Sequence, residues 1–401
     1  MNYKMHVENN INDESYDIST LIYNVEHTTS LQGQAGKLTF SIKKDPNEIL
    51  KISCGNTILF WNDDIPIFYG HVFKIKTDKS GDFSITAYDN TRYLQNHDYL
   101  LVDDMNLQDV FNKICNNLKL KNKLLGKARF PQQKINKKHF ADTSYFDMIQ
   151  YAINETNNTY VTEKVIRDDG SFEDVYDPNM SIDKIPVYFF IRDNFGTLEL
   201  NDLESNIKYR RTGIDGSLTR AWTGNEWYYY DESLKPELEP LIIGEESLLI
   251  DYDYELSIDD NTFNEIYVME TTSDSKSKKN NNKDVITSDG KKLAFAKQDE
   301  NSVKKYGLLR RIENVKNVMN ESQLEAYANI LLENYSMPSR TMKIEALGYN
   351  GVNAGDGFLL KLNKLGVEGM VYVLSATHHY GADIHTMSLE VSTAKNMKEV
   401  L

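Results

Sequence analysis

The chain has 401 residues, 40% of them hydrophobic and 11% aromatic, with 25 tyrosines and a formal net charge of −15. That length implies two or three domains with a sizeable core, and the tyrosines lean it towards sheet. The acidic balance argues against a grip on nucleic-acid phosphates, which needs clustered Lys and Arg, and two cysteines without a CxxC pair exclude a cysteine-built zinc centre.

Cys54 and Cys115 cannot staple a protein this size, so a reducing compartment is expected. The opening "MNYKMHVENNINDESYD" has no apolar stretch of the secretory kind, and no run of eighteen apolar residues predicts a membrane span. From residue 20 to 89 the pattern reads as successive strands: "LIYNVEHTTS" and "GKLTFSIKK" about the turn Gln32–Gly36, then "TILFW", "PIFYGHVFKIKT" and "DFSITAYD". The last alternates, with Phe83, Ile85 and Ala87 on one face. This predicts an antiparallel meander curled into a sheet or barrel.

The period changes near residue 90. "DDMNLQDVFNKICNNLKL" carries Leu107, Val110, Phe111, Ile114 and Leu118 at helical spacing, with Asn106 or Asp104 as cap. "DTSYFDMIQYAINETN" repeats the logic, and strands follow at "PVYFFIRD" and "GTLELND". Residues 100–206 therefore read as an α+β unit inserted between two β regions. Residues 207–240 are irregular. Strand pattern returns at 241–270, where "DYDYELSI" alternates strictly, and again at 301–395. Between them, 271–300 begins with "TTSDSKSKKNNNKD" and reads as a polar flexible loop. "NESQLEAYANILLENYS" is a helix with Asn320 as cap and Leu324, Ala328, Leu331 and Tyr335 as its apolar stripe.

An echo runs across the chain. "CGNTILFWNDDIPIFYG" with "SGDFSITAYD" parallels "AGDGFLLKLNKLGVEG" with "YGADIHTMSLE". An offset of 300 aligns Gly55 with Gly355, Leu59 with Leu359, Gly81 with Gly381 and Thr86 with Thr386. The first β module spans 1–99, and 241–270 with 301–395 form the second. A cyclic trimer of such a chain presents six similar modules in a ring. That ring could meet a six-fold assembly on one face and offer three-fold symmetry on the other.

The stretches "FYGHVFKIKTDKSGDFSITAYDNTRYLQNHD" (68–98), "EAYANILLENYSMPSRTMKIEALGYNGVNAGDGFLLKL" (325–362), "YVLSATHHYGADIHTMSLEV" and "DYDYELSIDDNTFNEIYV" (251–268) resemble the XkdQ/YqbQ-type tail hub proteins of phages and phage-like particles, related to the late-control-D hubs. The resemblance implies a mainly β chain with two tail-tube-like antiparallel β-barrel modules plus a small α+β domain. It further implies a homotrimer joining the tail tube ring to the central spike within a baseplate, beside other baseplate proteins and the tape measure protein. Assembly in the bacterial host cytoplasm, in a phage tail or a tailocin, goes with it. No catalytic residue and no cofactor is implied.

Several residues invite a chemical reading. His378, His379 and His385 fall within eight residues. Zinc needs three or four converging ligands. His378 and His379 are adjacent on a strand and point to opposite faces, so one of them joins His385 across the hairpin, with Asp383 or a symmetry mate needed to complete a site. The favoured reading is a hairpin tip turned by "YGAD". Asp251, Asp253 and Glu255 sit about 7 Å apart on a strand, a solvated or lumen-facing stripe rather than a calcium loop. Cys115 reads as core and Cys54 as a turn residue. Asp63–Asp64 and Asp103–Asp104 read as turn and cap chemistry. There is no GxSxG or HExxH, and "GQAGK" is too short for a P-loop. The sequence thus favours a structural hub, not an enzyme, with no catalytic, cofactor or metal residues. The rivals are a tail-associated cell-wall hydrolase, with Glu226 and Asp231 in an aromatic groove at 222–239, and a carbohydrate-binding β module.

Overall fold

The computed structural model describes residues 3–10, 14–31, 33–44, 50–77, 79, 81–124, 134–160, 162–166, 172–176, 189–203, 209–211, 238–259, 262–271, 291–315 and 321–392. The fold is mainly β, with large antiparallel sheets and few helices. Two compact units form: residues 1–157, 187–253 and 342–401 in one, 158–186 and 254–341 in the other.

The first unit is dominated by one 13-stranded sheet. In its N-terminal half, Ile22–Ser30 pairs with Lys37–Ile42, which pairs with Phe83–Tyr88, then Ile65–Thr77, Thr57–Asn62 and Tyr3–Glu8. The expected simple meander holds for the last three hairpinned strands only. After Ile42 the chain crosses over, and Phe83–Tyr88 returns to close against Lys37–Ile42. That closure buries Leu38, Phe40, Ile42, Ile58, Phe60, Val72, Ile85 and Ala87 in one core.

The C-terminal half repeats this order. Leu249–Ser257 lies next to Ser339–Leu347, followed by His385–Ser392, Val367–Tyr380, Gly357–Leu362 and Ile242–Gly244. The correspondence reaches single bonds. Gly55 N–H donates to Val72 O and Val72 N–H to Asn56 O, at 2.8 and 2.9 Å; Gly355 N–H donates to Val373 O and Val373 N–H to Asp356 O at the same distances. Ser53 N–H is held by Asn56 Oδ1 at 2.7 Å, and Asn353 N–H by Asp356 Oδ2 at 2.8 Å. Both long strands carry a bulge directly after these valines, between Val72 and Lys74 and between Val373 and Ser375. The 300-residue offset holds for Gly55/Gly355 and Leu59/Leu359 but slips afterwards. The longer second hairpin equates Thr86, opposite Lys74, with Glu390, opposite Ser375, rather than with Thr386.

Gly55 and Gly355 have φ of +91° and +88°, a region that costs an L-residue about 1–2 kcal/mol. A Cβ on Gly55 meets nothing within 4 Å, whereas one on Gly355 would stand 2.3 Å from the Phe190 ring. Alanine at 55 is therefore expected to cost about 1 kcal/mol, and alanine at 355 roughly 3 kcal/mol or more once the overpacked ring is added. Urea denaturation of the two variants checks the inequality.

Residues from 97 to 157 and 189 to 203 build a separate α+β core within the same unit. Helix Leu107–Leu118 buries Leu107, Val110, Phe111, Ile114 and Cys115. Its cap is Asn106, in a reciprocal box: Asn106 Oδ1 accepts from Asp109 N–H at 2.9 Å and Asp109 Oδ2 from Asn106 N–H at 3.0 Å. Met148, Ile149 and Ala152 of helix Tyr145–Tyr160 pack on it together with Leu198 and Leu200.

In the second unit, Glu265–Thr271 lies between Lys291–Gln298 and Arg310–Val315. Residues 291–298, grouped by composition with the polar loop, are thus a strand; 272–290 lie outside the described residues. Leu324, Leu331 and Leu332 of helix Glu321–Tyr335 cover Ile266 and Val268. The expected cap Asn320 lies outside the described residues. Asn264, fully buried, ties this unit together by donating to Gly307 O at 2.7 Å and accepting from Leu309 N–H at 2.8 Å. Among the described residues no helix is long and apolar enough to cross a membrane.

Candidate functional site

The two halves of the sheet meet along one seam. Val367–Tyr380 pairs antiparallel with Ile22–Ser30, running from Ser375 opposite Ser30 to Tyr380 opposite Val25. Here the histidines find their place. His378 points inward and is buried, while its neighbour His379 is exposed on the other face, 3.5 Å from Glu26.

His378 Nε2 lies 2.6 Å from Val352 O, and its Nδ1 lies 2.9 Å from His385 Nε2. A carbonyl only accepts, so His378 carries its proton on Nε2. Its Nδ1 must then accept, and His385 Nε2–H donates to it. His27, directly opposite His378 in the ladder, stacks on that ring at 6.5 Å and meets Phe68 edge-on at 5.6 Å. Its Nδ1 is buried without a hydrogen-bond partner. Burial pushes all three down: His27 to about 3, His378 to about 4 and His385 to about 3. They are neutral packing groups at neutral pH. Among the described residues no three His, Cys, Asp or Glu side chains are grouped to hold a metal ion. The partner that local sequence could not reveal is His27, more than three hundred residues away in the chain.

A cavity of about 340 Å³ opens beside the seam, lined among others by His27, His378, Tyr69, Asp89, Asp193 and Arg192. Asp89 caps the short turn Asn90–Gln95, accepting from Thr91 N–H at 2.9 Å. Asp193 Oδ1 accepts from Gly196 N–H at 2.7 Å at the tip of the hairpin formed by Phe189–Asn194 and Thr197–Asp202. Burial drives the Asp89 carboxyl up to about 7 and Asp193 well above the carboxylate range, and the nearby Asp89 charge adds to the rise in Asp193. Both carboxyls thus have structural duties. Asp193 Oδ2 is buried without a hydrogen-bond partner. A carboxyl raised on folding loses stability for the protein as pH rises through its folded pKa. Asp193→Asn is therefore expected to raise the melting temperature at pH 8, by the equivalent of about 1–2 kcal/mol, with the gain shrinking as pH falls and vanishing only below the free carboxylate value near 4; calorimetry across that pH range checks this.

That hairpin is held at both ends. At its tip Phe195 has φ of +47°, an unusual conformation for a bulky residue, and its ring packs on Trp61 at 5.5 Å and Tyr69 at 6.0 Å. Along its body Arg192 bridges two buried carboxylates, Glu199 at 3.1 Å and Asp356 at 3.0 Å. Asp356 belongs to the second Gly turn, so the triad pins the α+β core to the C-terminal half of the sheet.

The remaining sequence candidates are dispersed. Asp251, Asp253 and Glu255 are exposed along one strand. Asp63 and Asp64 form a positive-φ turn, with Asp64 paired to Lys4. Asp103 pairs with Lys137 at 2.5 Å, and Asp104 precedes the helix cap. Cys115 is buried, its thiol pushed up to about 12, and Cys54 is exposed at its turn. Glu226 and Asp231 lie outside the described residues. Arg192, Asp89, Asp193 and His27 went unmarked by sequence reasoning, because each is defined by a partner brought from another part of the chain.

A family model described as YQBQ-like matches residues 25–221 and 231–392. The chain is similar to YqbQ of Bacillus subtilis strain 168, 20% identical over 377 residues that make up 92% of each protein. It is also similar to the phage-like element PBSX protein XkdQ of the same strain, 26% identical over 112 residues covering 28% of this chain and 34% of XkdQ. The 43 kDa tail protein of prophage MuSo2 from Shewanella oneidensis has the same fold at 10% identity, with a TM-score of 0.59 over 98% of this chain and 99% of that one. With its sequence matched across both β regions and its fold that of a prophage tail protein, the chain belongs to the YQBQ-like family.

Proposed function

We propose that the chain is a structural protein of a phage tail or tailocin, acting as the baseplate hub that joins the tail tube to the central spike. The observation that carries this reading is the duplicated strand order, with two modules zipped edge to edge in a single sheet. Three such chains place six equivalent edges in a ring, which matches a six-subunit tube on one face while leaving three-fold symmetry for a spike. The role is mechanical: symmetry adaptation and the transmission of load through paired strands. The phage-like element in the name of XkdQ and the tail protein of MuSo2 as a fold neighbour support a place in a tail particle. The buried His378–His385 pair and the capping carboxylates support a non-enzymatic role. The partners are two further copies of the chain, the tail tube ring, the spike and other baseplate proteins, assembled in the host cytoplasm.

Co-expression with the tube and spike proteins encoded nearby tests the reading. A stable complex containing three copies of the chain, visible as a ring under the tube by electron microscopy, is the expected result. Absence of any complex, together with cell-wall hydrolysis by the purified chain, would replace it with the hydrolase reading.

A further inference from the structure

The cavity beside the seam forms where three parts of the first unit meet. The strand Ile22–Ser30 and the start of Ile65–Thr77 supply one wall. The residues around Gly351 and the end of Val367–Tyr380 supply a second, and the tip of the hairpin after Phe189–Asn194 a third. At about 340 Å³ the space falls in the size range of pockets that enclose a small organic molecule. Phe68, Tyr69, Phe195 and Tyr380 give it aromatic walls.

The charges of the lining do not cancel. Asp63 and Asp64 are exposed at its turn, whereas Asp89 is buried and Asp193 half-buried. Among the described residues Arg192 is the one cation in the lining, and it is held between two carboxylates, Glu199 and Asp356. Lys4 pairs with Asp64. Among the described residues no cation pairs with Asp89 or Asp193, whose partners are the neutral donors of Thr91 and Gly196. Two further atoms of the lining residues have no hydrogen-bond partner: Asp193 Oδ2, and Nδ1 of His27, which is 5% exposed. Neighbouring carboxyls out of water resist ionising together, and the charge of Asp89 raises Asp193 in this way. A positive group between them would remove that conflict.

We propose that this cavity binds a small organic ammonium ion, its charged head against Asp89 and Asp193 and its apolar stem along Phe68, Tyr69 and Phe195. An ammonium group donates hydrogen bonds and accepts none, which suits carboxylates, and it is attracted to the faces of aromatic rings. An anion would meet the acidic lining instead. Calcium takes six to eight oxygen ligands, more than this pair of carboxyls offers. A ligand touching all three walls would stabilise the junction by mass action. The inference goes beyond the hub reading and stands independently of it.

The test uses the full chain and 2-phenylethylamine, with 2-phenylethanol as its uncharged counterpart, in titration calorimetry at pH 8. Saturable binding of one amine per chain is expected, at least about tenfold tighter than the alcohol. Asp193→Asn, which should melt higher than the parent and so stays folded, is expected to weaken the amine about tenfold. Asp251→Asn, on the exposed stripe, should leave it unchanged. Binding should also weaken about tenfold at pH 5.5, because the ammonium must then displace protons from Asp89, raised to about 7, and from Asp193. Across that range His27 and His378 stay neutral, Tyr69 stays protonated and Arg192 stays charged. No saturable binding, equal binding of the alcohol, or amine affinity unchanged by Asp193→Asn would overturn the proposal. Calcium chloride alone binding more tightly than the amine, and lost in Asp193→Asn, would overturn it in favour of a metal site.

Discussion

Replacing Arg192 with alanine is expected to destabilise the first unit by about 3–5 kcal/mol, the largest effect of any single side chain considered. The guanidinium lies between Glu199 and Asp356, whose side chains are 3% and 0% exposed. Removing it leaves two carboxylates with neither water nor cation. The attraction of both carboxylates holds Arg192 more firmly protonated than usual, although burial opposes this. Arg192→Lys should recover part of the loss, because an ammonium keeps the charge but cannot hold both partners in the same fork. Arg192→Met with Glu199→Gln and Asp356→Asn should be far milder than alanine alone, since no buried charge is stranded. Urea unfolding at pH 7 gives the ordering. If alanine costs under about 1 kcal/mol, the triad is solvated and does not pin the α+β core.

The second large effect is acid lability of the seam. The folded pKa values of His27, His378 and His385 are depressed, so their contribution is complete above about pH 6.5 and is lost as pH falls towards 3–4. Asp356 near His378 and Asp63 near His385 favour protonation, and His379 opposes it; burial outweighs all three. For His378 alone the loss amounts to about 3 kcal/mol by pH 4. A proton on its Nδ1 would also face the donor of His385, leaving two N–H groups pointing at each other. Asp89, whose carboxyl is raised to about 7, and Asp193, raised well above the carboxylate range, act in the opposite sense, gaining stability as pH falls towards the free carboxylate value near 4. Stability should thus be broad near neutrality and drop steeply below pH 5. His27→Phe removes a buried nitrogen without breaking a hydrogen bond and sets a ring beside Phe68. That variant should be more stable than the parent at pH 4.5, with a smaller difference at pH 7.5. Equal pH dependence in both proteins would mean that His27 is hydrated and outside the core.

How much of this was legible in the sequence differs from element to element. The helix at 107–118 and its Asn106 cap could be read because both the apolar stripe and the capping box are local. So could the opposed faces of His378 and His379, which follow from the two-residue period of a strand. The repeat was visible at Gly55 and Gly355, where a positive φ demands the same residue twice. It faded at Thr86, because sheet pairing tolerates longer hairpin arms and alternation records only which face is buried. Alternation also says nothing about which edge a strand joins. The return of Phe83–Tyr88 to Lys37–Ile42, the zipping of Ser375–Tyr380 onto Val25–Ser30, and the strand at 291–298 were therefore hidden. The buried charges were hidden for the same reason. Asp89, Asp193 and Arg192 look like ordinary surface residues until tertiary structure buries them and brings Asp89 beside Asp193 and Asp356 onto Arg192.

The central claim is that two modules per chain build a closed ring, and the native mass of the chain tests it most directly. Light scattering coupled to size exclusion, on the chain alone and with the proposed tube and spike partners, should report three subunits of 46.2 kDa in at least one of the two samples. A mass of one subunit in both samples, or a mixture that grows without closing as concentration rises, would contradict the ring and with it the hub.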